Sequence, residues 1–332
     1  MPEQLTLAPP RFEPPFWLAS GHAQTLWPAL VRRPPAVARQ CERLALPDGD
    51  ELNLVWGPGP RTGPLVLILH GLAGSATASY VQGLMAALAQ AAMGSVVMEF
   101  RGAGVRPNRL PRFFHAGETE DVQCAVQHVR ARHPDRPLAL VGFSMGGIVG
   151  LNWLGRLGVR AAVEQAVIVS APLQLAECSR RLDRGFSRLY QWAMVRDLKA
   201  MLARKREAGC PPPQAEAAFR ARSLWEFDDR LTAPLHGFDG AADYYQRCAP
   251  EQRLGCIRVP TLMINAADDP FCPADTLPPP GALTPWVQLA MSPGGGHLGF
   301  VAGWPWRPRY WLEPTLVAWL AARLNRPRAA AG

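Results

Sequence analysis

Six short runs in this chain are apolar almost from end to end: "LVLILH" (65–70), "SVVMEF" (95–100), "LALVGF" (138–143), "AVIVSA" (166–171), "TLMINA" (261–266) and "VQLAMS" (287–292). They lack the alternation of a half-exposed strand, so each predicts a strand buried on both faces, as in a parallel sheet. Segments with helical spacing lie between most of them, at 80–93, 119–133 and 145–158, with a last one at 311–325. Alternating strand and helix implies right-handed crossovers and a doubly wound α/β sheet. Upstream, "CERLALPDGDELNLVWG" (41–57) sets two strand-like runs around Pro47-Asp48-Gly49-Asp50, which predicts a hairpin at the sheet edge.

The alternation stops between about Pro172 and Ile257, where helical patterns and loops occur without a convincing buried strand. The expected organisation is an N-terminal arm (1–40) laid over an α/β core (41–172 and 256–325), with a helical cap inserted at 173–255. A chain of 332 residues suits one such domain and leaves material for a deep pocket.

Composition removes several function classes. No stretch approaches about 18 uninterrupted apolar residues, so no ordinary membrane-spanning helix is expected. The first 25 residues carry Glu3, Glu13 and several prolines without a central apolar segment, fitting neither a secretory signal nor a transit peptide. A cytoplasmic address is the default expectation. The formal charge of +8 is spread along the chain as arginine, its densest cluster being Arg204-Lys205-Arg206, so no nucleic-acid surface is expected. The seven cysteines are scattered and never spaced as Cys-x-x-Cys, which predicts reduced structural thiols rather than disulfides or a zinc site.

The strand "LALVGF" runs straight into "SMGGIVGLNWLG", giving Gly142-Phe143-Ser144-Met145-Gly146. A serine on a sharp strand-to-helix turn has a strained backbone and needs glycine two positions either side. Its placement between a buried strand and a helix, more than the short pattern itself, makes Ser144 a candidate nucleophile. The following helix also aims its amides at the place where an oxyanion would form. A second glycine-rich turn, "HGLAGS" (70–75), can offer the N–H of Leu72 to pair with that of Met145 as an oxyanion hole.

A serine nucleophile needs a base. Of seven histidines, His297 alone stands in a glycine-rich loop, "SPGGGHLGF", after the last predicted strand and before the terminal helix. In the order nucleophile, acid, histidine, that is where the base belongs. His128 and His133 fall on a solvated helix, His70 shapes its turn, and His115 precedes a helix. His22 and His236, in the arm and the cap, have no evident task. The acid is then expected at the end of the preceding strand, where "NAADDPFCP" offers Asp268 and Asp269.

Together these residues resemble the α/β-hydrolase superfamily, and within it the YheT-like branch, over about Phe16 to Leu324. The landmarks are "GHAQT" (21–25), "HGLAGS" (70–75), "FRGAG" with "PNRLPRFFHAGETED" (100–121), "GFSMGG" (142–147), "EFDDRLTAPLHGF" with "ADYY" (226–245), "DDPF" (268–271) and "GGHLGF" (295–300). Ala73 stands where the resemblance leads one to expect glutamate. The resemblance implies a mostly parallel eight-stranded sheet flanked by helices with a helical cap, a nucleophile at Ser144, a base at His297 and an acid on the Asp-Asp pair. It also implies hydrolysis of carboxylic esters, short- to medium-chain or lipid-like.

The family's acid is followed by two or three residues and a turning proline, a register that Asp269-Pro270-Phe271-Cys272-Pro273 fits. Pro270 also biases Asp269 away from helical geometry. Asp269 is therefore the expected acid, with Asp268 the alternative; with Asp269 as the acid, Asp268 either bonds loop amides or is simply a solvated charge. The chemistry expected is acyl transfer to water with neither metal nor organic cofactor. The rivals are acyl transfer to another acceptor and a silent binding protein of the same fold. Phe186, Leu189, Tyr190, Trp192, Met194 and Met201 are candidates to line an acyl channel, or else the cap's own core.

Overall fold

The computed structural model describes residues 9–279 and 281–324. Residues 1–8 of the expected arm and residue 325 of the expected core and terminal helix lie outside these. A 3-10 turn (Phe16–Leu18) and α1 (Gly21–Val31) precede β1 (Gln40–Ala45), β2 (Glu51–Trp56), β3 (Leu65–Leu69), α2 (Ser79–Gln90), β4 (Gly94–Glu99) and α3 (Thr119–Arg132). Then follow β5 (Leu138–Phe143), α4 (Met145–Leu157) and β6 (Gln165–Val169). Between β6 and β7 (Thr261–Ala266) the described chain is helical, with α5 (Leu175–Leu182), α6 (Ser187–Glu207), α7 (Ala215–Phe219), α8 (Leu224–Phe227), a π-helical turn (Asp228–Thr232), α9 (Ala233–His236) and α10 (Ala241–Cys248). The fold closes with β8 (Val287–Ser292), a hairpin of β9 (Val301–Trp304) and β10 (Arg307–Tyr310), and α11 (Leu312–Leu324).

The strands run in the order β1-β2-β4-β3-β5-β6-β7-β8. β1 and β2 form the antiparallel edge, and from β4 to β8 every pairing is parallel. All six apolar runs are strands of this sheet, and the 41–57 hairpin is its edge. Their lack of alternation has a simple cause: successive side chains enter different cores. Leu65, Leu67, Leu140 and Ile168 pack with α3 and α4, whereas Val66, Ile68, Val141 and Val167 pack with α2 and α11.

The β9–β10 hairpin was not foreseen, since the segment "VAGWPWRPRY" is broken by Gly303, Pro305 and Pro308, which weaken a strand pattern. It docks the N-terminal segment. Trp17 Nε1–H donates to Gly303 O at 2.8 Å, and the buried Gln24 amide bonds Val301 through both its atoms, at 2.7 and 3.0 Å.

Arg101, just after β4, ties the loops beneath the cap. Its guanidinium meets Asp121 through two bonds, at 2.7 and 2.9 Å, and also bonds Asp50 and Asp48. The buried Lys205 of α6 reaches the same region, donating to Leu110 O at 2.7 Å and Asn108 Oδ1 at 2.9 Å. Removing one partner from such a buried ionic cluster leaves uncompensated charge, so Arg101→Met should lower the unfolding free energy by about 3–5 kcal/mol. Urea unfolding measures it; a loss below about 1 kcal/mol would show that these carboxylates do not depend on Arg101.

Candidate active site

Ser144 sits between β5 and α4 with φ 50° and ψ −115°, a left-handed conformation that costs an L-residue energy. The strain is held in place by packing on both sides. Its N–H donates to Val169 O on the adjacent strand, and its carbonyl accepts from Ile148 N–H. A Cβ on Gly142 would lie 2.6 Å from Gly146 O, and one on Gly146 would lie 2.2 Å from Leu69 O. Both positions therefore require glycine because backbone approaches backbone there.

His297 follows β8 and Asp269 follows β7, and both are buried. His297 Nε2 lies 2.9 Å from Ser144 Oγ, and Nδ1 lies 2.9 Å from Asp269 Oδ2. The other Asp269 oxygen accepts the N–H groups of Phe271 and Cys272, at 2.8 and 3.2 Å. An acid-bonded Nδ1–H leaves Nε2 unprotonated toward the serine. Asp268 points elsewhere, its Oδ1 accepting Gly296 N–H at 2.9 Å, and burial raises its pKa. The two adjacent carboxylates thus hold the histidine loop at two points, one on the ring and one on the backbone.

The first helix supplies a third point that the sequence reading did not find. Thr25 Oγ1 accepts His297 N–H at 2.9 Å and donates to Gly21 O at 2.7 Å. Gly21 itself packs so tightly that a Cβ would lie 1.9 Å from Asp268 O. His22 pairs with Tyr190 of α6, its Nδ1 at 3.1 Å from the phenol oxygen and the rings stacked. Tyr190 meets Phe271 edge-on, and Phe271 lies against the His297 ring at 4.2 Å between centroids. The "GHAQT" motif was the available signal, though its partners lie far away in sequence.

Met145 is the first residue of α4, where an N–H has no helical acceptor. Leu72 follows a pinned peptide: Gly71 O lies 2.8 Å from His70 Nδ1 and accepts Gly74 N–H at 3.0 Å, while Gly71 N–H donates to Tyr80 Oη at 2.8 Å. Peptide planarity then turns the Leu72 N–H away from that carbonyl. His70 Nε2 accepts Phe100 N–H at 3.2 Å, which assigns the ring proton to Nδ1. Leu72, Met145 and Ser144 line one cavity. Burial pushes Tyr80 up to about 12 and His70 down to about 4, so both stay neutral at ordinary pH.

The cavity runs under the cap and is walled by apolar groups including Phe113, Ile148, Leu175, Leu198, Phe227 and Phe271. Of the six cap residues suggested for an acyl channel, Met194 alone lines it. Phe186, Leu189 and Trp192 are exposed, Tyr190 packs on His22 and Phe271, and Met201 is buried in the core. The proposed stripe winds around α6, so its members face different surroundings.

Two clusters among the described residues gather metal-type donors: Asp269–Cys272–His297 and His115–Glu118–His236. In the first, both His297 nitrogens are engaged, and burial holds the Cys272 thiol well above its ordinary range. In the second, His236 Nε2 lies 2.9 Å from Phe113 O and Arg112 donates to Glu118. His236 thereby joins the cap to the 101–118 loop, a structural task the sequence did not reveal.

Residues 64–303 match the α/β hydrolase fold family. Over 319 residues the chain is 39% identical to YheT of Escherichia coli (strain K12), provisionally named an esterase, spanning 95% of this chain and 94% of that protein. It is 30% identical over 305 residues to the phospholipase ABHD3 of Mus musculus, spanning 89% of this chain and 74% of the relative. Over 276 residues it is 28% identical to the monoacylglycerol lipase of Saccharomyces cerevisiae, spanning 81% and 60%. The solved esterase Pf2001 of Pyrococcus furiosus shares the fold, with a TM-score of 0.57 over 96% of this chain and 100% of that one at 15% identity.

The His70 geometry generates a pH prediction. Its folded pKa, depressed by burial to about 4, lies below the unfolded value of about 6.5. Its contribution is complete above pH ~6.5 and is lost as the pH falls toward 4, because only the unfolded chain then binds the proton. His70→Gln should make the pH dependence of urea stability across that window shallower by nearly one proton, about 3 kcal/mol in all. An unchanged slope would contradict the assignment.

Proposed function

The chain belongs to the α/β-hydrolase family, in its YheT-like branch, and on that premise we propose that it hydrolyses carboxylic esters through an acyl-enzyme on Ser144. The observation that carries this reading is the continuous hydrogen-bonded chain from Ser144 Oγ through the His297 ring to Asp269. Ser144 Oγ attacks the ester carbonyl carbon as its proton passes to His297 Nε2. Asp269 accepts from Nδ1–H, keeps the ring in the reactive tautomer and stabilises the imidazolium that forms. The N–H groups of Leu72 and Met145 receive the developing oxyanion.

His297 then gives its proton to the departing alcohol and takes one from the water that attacks the acyl-enzyme. The acid leaves and Ser144 regains its proton. No step calls on a metal or an organic cofactor. The apolar cavity, and relatives named phospholipase and monoacylglycerol lipase, support short- to medium-chain or lipid-like esters as substrates. No helix among the described residues is long and apolar enough to cross a membrane.

A series of p-nitrophenyl esters of increasing acyl length tests both the activity and the chain preference. Ser144→Ala should lower kcat by roughly 10⁶-fold, and Asp269→Asn by about 10⁴-fold. Asp268→Asn should cost far less, since its carboxylate bonds a loop amide and not the ring. Near-normal turnover by Asp269→Asn with a large loss in Asp268→Asn would reverse the assignment of the acid.

A further inference from the structure

Apart from Ser144 and from Tyr244, whose hydroxyl accepts Ala116 N–H, the oxygen-bearing side chains lining the cavity form one cluster on its cap wall, which the proposed chemistry does not use. Asp228 opens the π-helical turn, Thr232 closes it, Tyr245 lies on α10 and Ser179 on α5, and all four line the cavity. Tyr245 donates its hydroxyl to Asp228 Oδ2 at 2.7 Å, and Thr232 donates to Oδ1 at 2.6 Å. Ser179 Oγ lies 3.5 Å from the Tyr245 oxygen.

Three features set this carboxylate apart from an ordinary staple between cap helices. First, it has no charged partner: among the described residues no ion pair includes Asp228, although a half-buried carboxylate facing an apolar cavity gains from a cation beside it. Burial pushes its pKa up to about 6, against the pull of the two hydroxyls, so it is still largely ionised at neutral pH. Secondly, an ionised carboxylate can accept about four hydrogen bonds, and the protein itself supplies two, both from hydroxyls. Asp228 keeps part of its surface open, and it borders the cavity.

Thirdly, the backbone is locally distorted at this residue. The N–H of Ala233 bonds Asp228 O, five residues back, and Pro234, which cannot donate, follows directly. Isolated π-helical turns within α-helices are energetically poor and concentrate at functional sites. Two apolar side chains at Asp228 and Tyr245 would join the cap helices without the cost of burying a charge.

Building on the ester-hydrolase reading above, we infer that Asp228, with Tyr245 and Thr232, forms a polar subsite that accepts a hydrogen-bond donor carried by the substrate. The natural esters then bear a hydroxyl or a protonated amine on one branch, rather than being plain alkyl esters. The apolar walls take the hydrocarbon between that group and the ester, while the Asp228 carboxylate accepts the hydrogen bond that fixes its end. A site built around such an acceptor discriminates strongly against an analogue that lacks the donor.

Three shape-matched pairs test this with the full-length protein at neutral pH. They are glycerol 1-monobutyrate against 2-methylbutyl butyrate, 2-(dimethylamino)ethyl butyrate against 3-methylbutyl butyrate, and methyl 6-hydroxyhexanoate against methyl heptanoate. The first two probe a hydroxyl and an ammonium on the alcohol branch, and the third probes a hydroxyl on the acyl branch. The expected result is a preference for the polar member of at least one pair, roughly ten-fold or more in kcat/KM and carried mainly by KM.

In Asp228→Asn the kcat/KM of that preferred ester should fall at least ten-fold more than that of its apolar partner. Equal turnover within all three pairs by the wild type would overturn the inference, as would a loss in Asp228→Asn that is the same for both members of a pair. The wild-type comparison needs no variant, so the inference stays open to refutation if Asp228→Asn does not fold. Hydrolysis of the apolar esters without discrimination sinks the subsite alone, whereas no hydrolysis of any of the six sinks the ester-hydrolase reading itself.

Discussion

The close approach of α4 to the ends of β3 and β5 is the contact on which the rest of the site depends. At Gly146 the helix backbone comes so near Leu69 O that even a methyl group would overlap it. That contact fixes where the helix begins, and so where Met145 presents its N–H and where Ser144 turns into its left-handed conformation. It also sets β3 beside Ser144, which brings the His70–Leu72 turn to the same edge. A strained residue persists only where its surroundings over-determine it. Here a strand on one side and a helix on the other do so.

Around this rigid centre the histidine is held by parts from across the chain. Asp269 bonds its ring, Asp268 the amide before it and Thr25 its own amide. A loop carrying three consecutive glycines has little conformational preference of its own, so its geometry is imposed by these partners. The N-terminal segment is thus part of the site's scaffold, locked to β9 by the Gln24 amide and to α6 by His22. "GHAQT" touches the loops of Asp268 and His297 as well as the cap, where Tyr190 packs on Phe271 and Phe271 in turn lies against the His297 ring.

How much of this was legible in the sequence follows from the range of the interactions. The strands could be read because burial on both faces leaves a local mark, a run without alternation. Ser144 could be read because the turn constrains its immediate neighbours, and Pro270 and Pro273 gave the Asp-Asp pair a direction for the same reason. The β9–β10 hairpin was hidden by prolines and a glycine that its two-stranded form tolerates. The cavity lining could not be read, because facing the cavity is decided by how α6 rotates against α5 and α8. The tasks of His22, Thr25 and His236 depend on partners more than 100 residues away, so a local pattern such as "GHAQT" marks a segment without identifying what it bonds.

The measurement that tests the account most directly is the site of covalent labelling by a fluorophosphonate, located by peptide mass spectrometry on the folded protein. A phosphonate forms a stable adduct only with a serine made nucleophilic by its surroundings. The expected result is a single adduct on Ser144, gained at the same rate as ester hydrolysis is lost, and absent from His297→Ala. Labelling at another residue with hydrolysis lost in step, or full hydrolytic activity in a protein labelled to completion at Ser144, would contradict it.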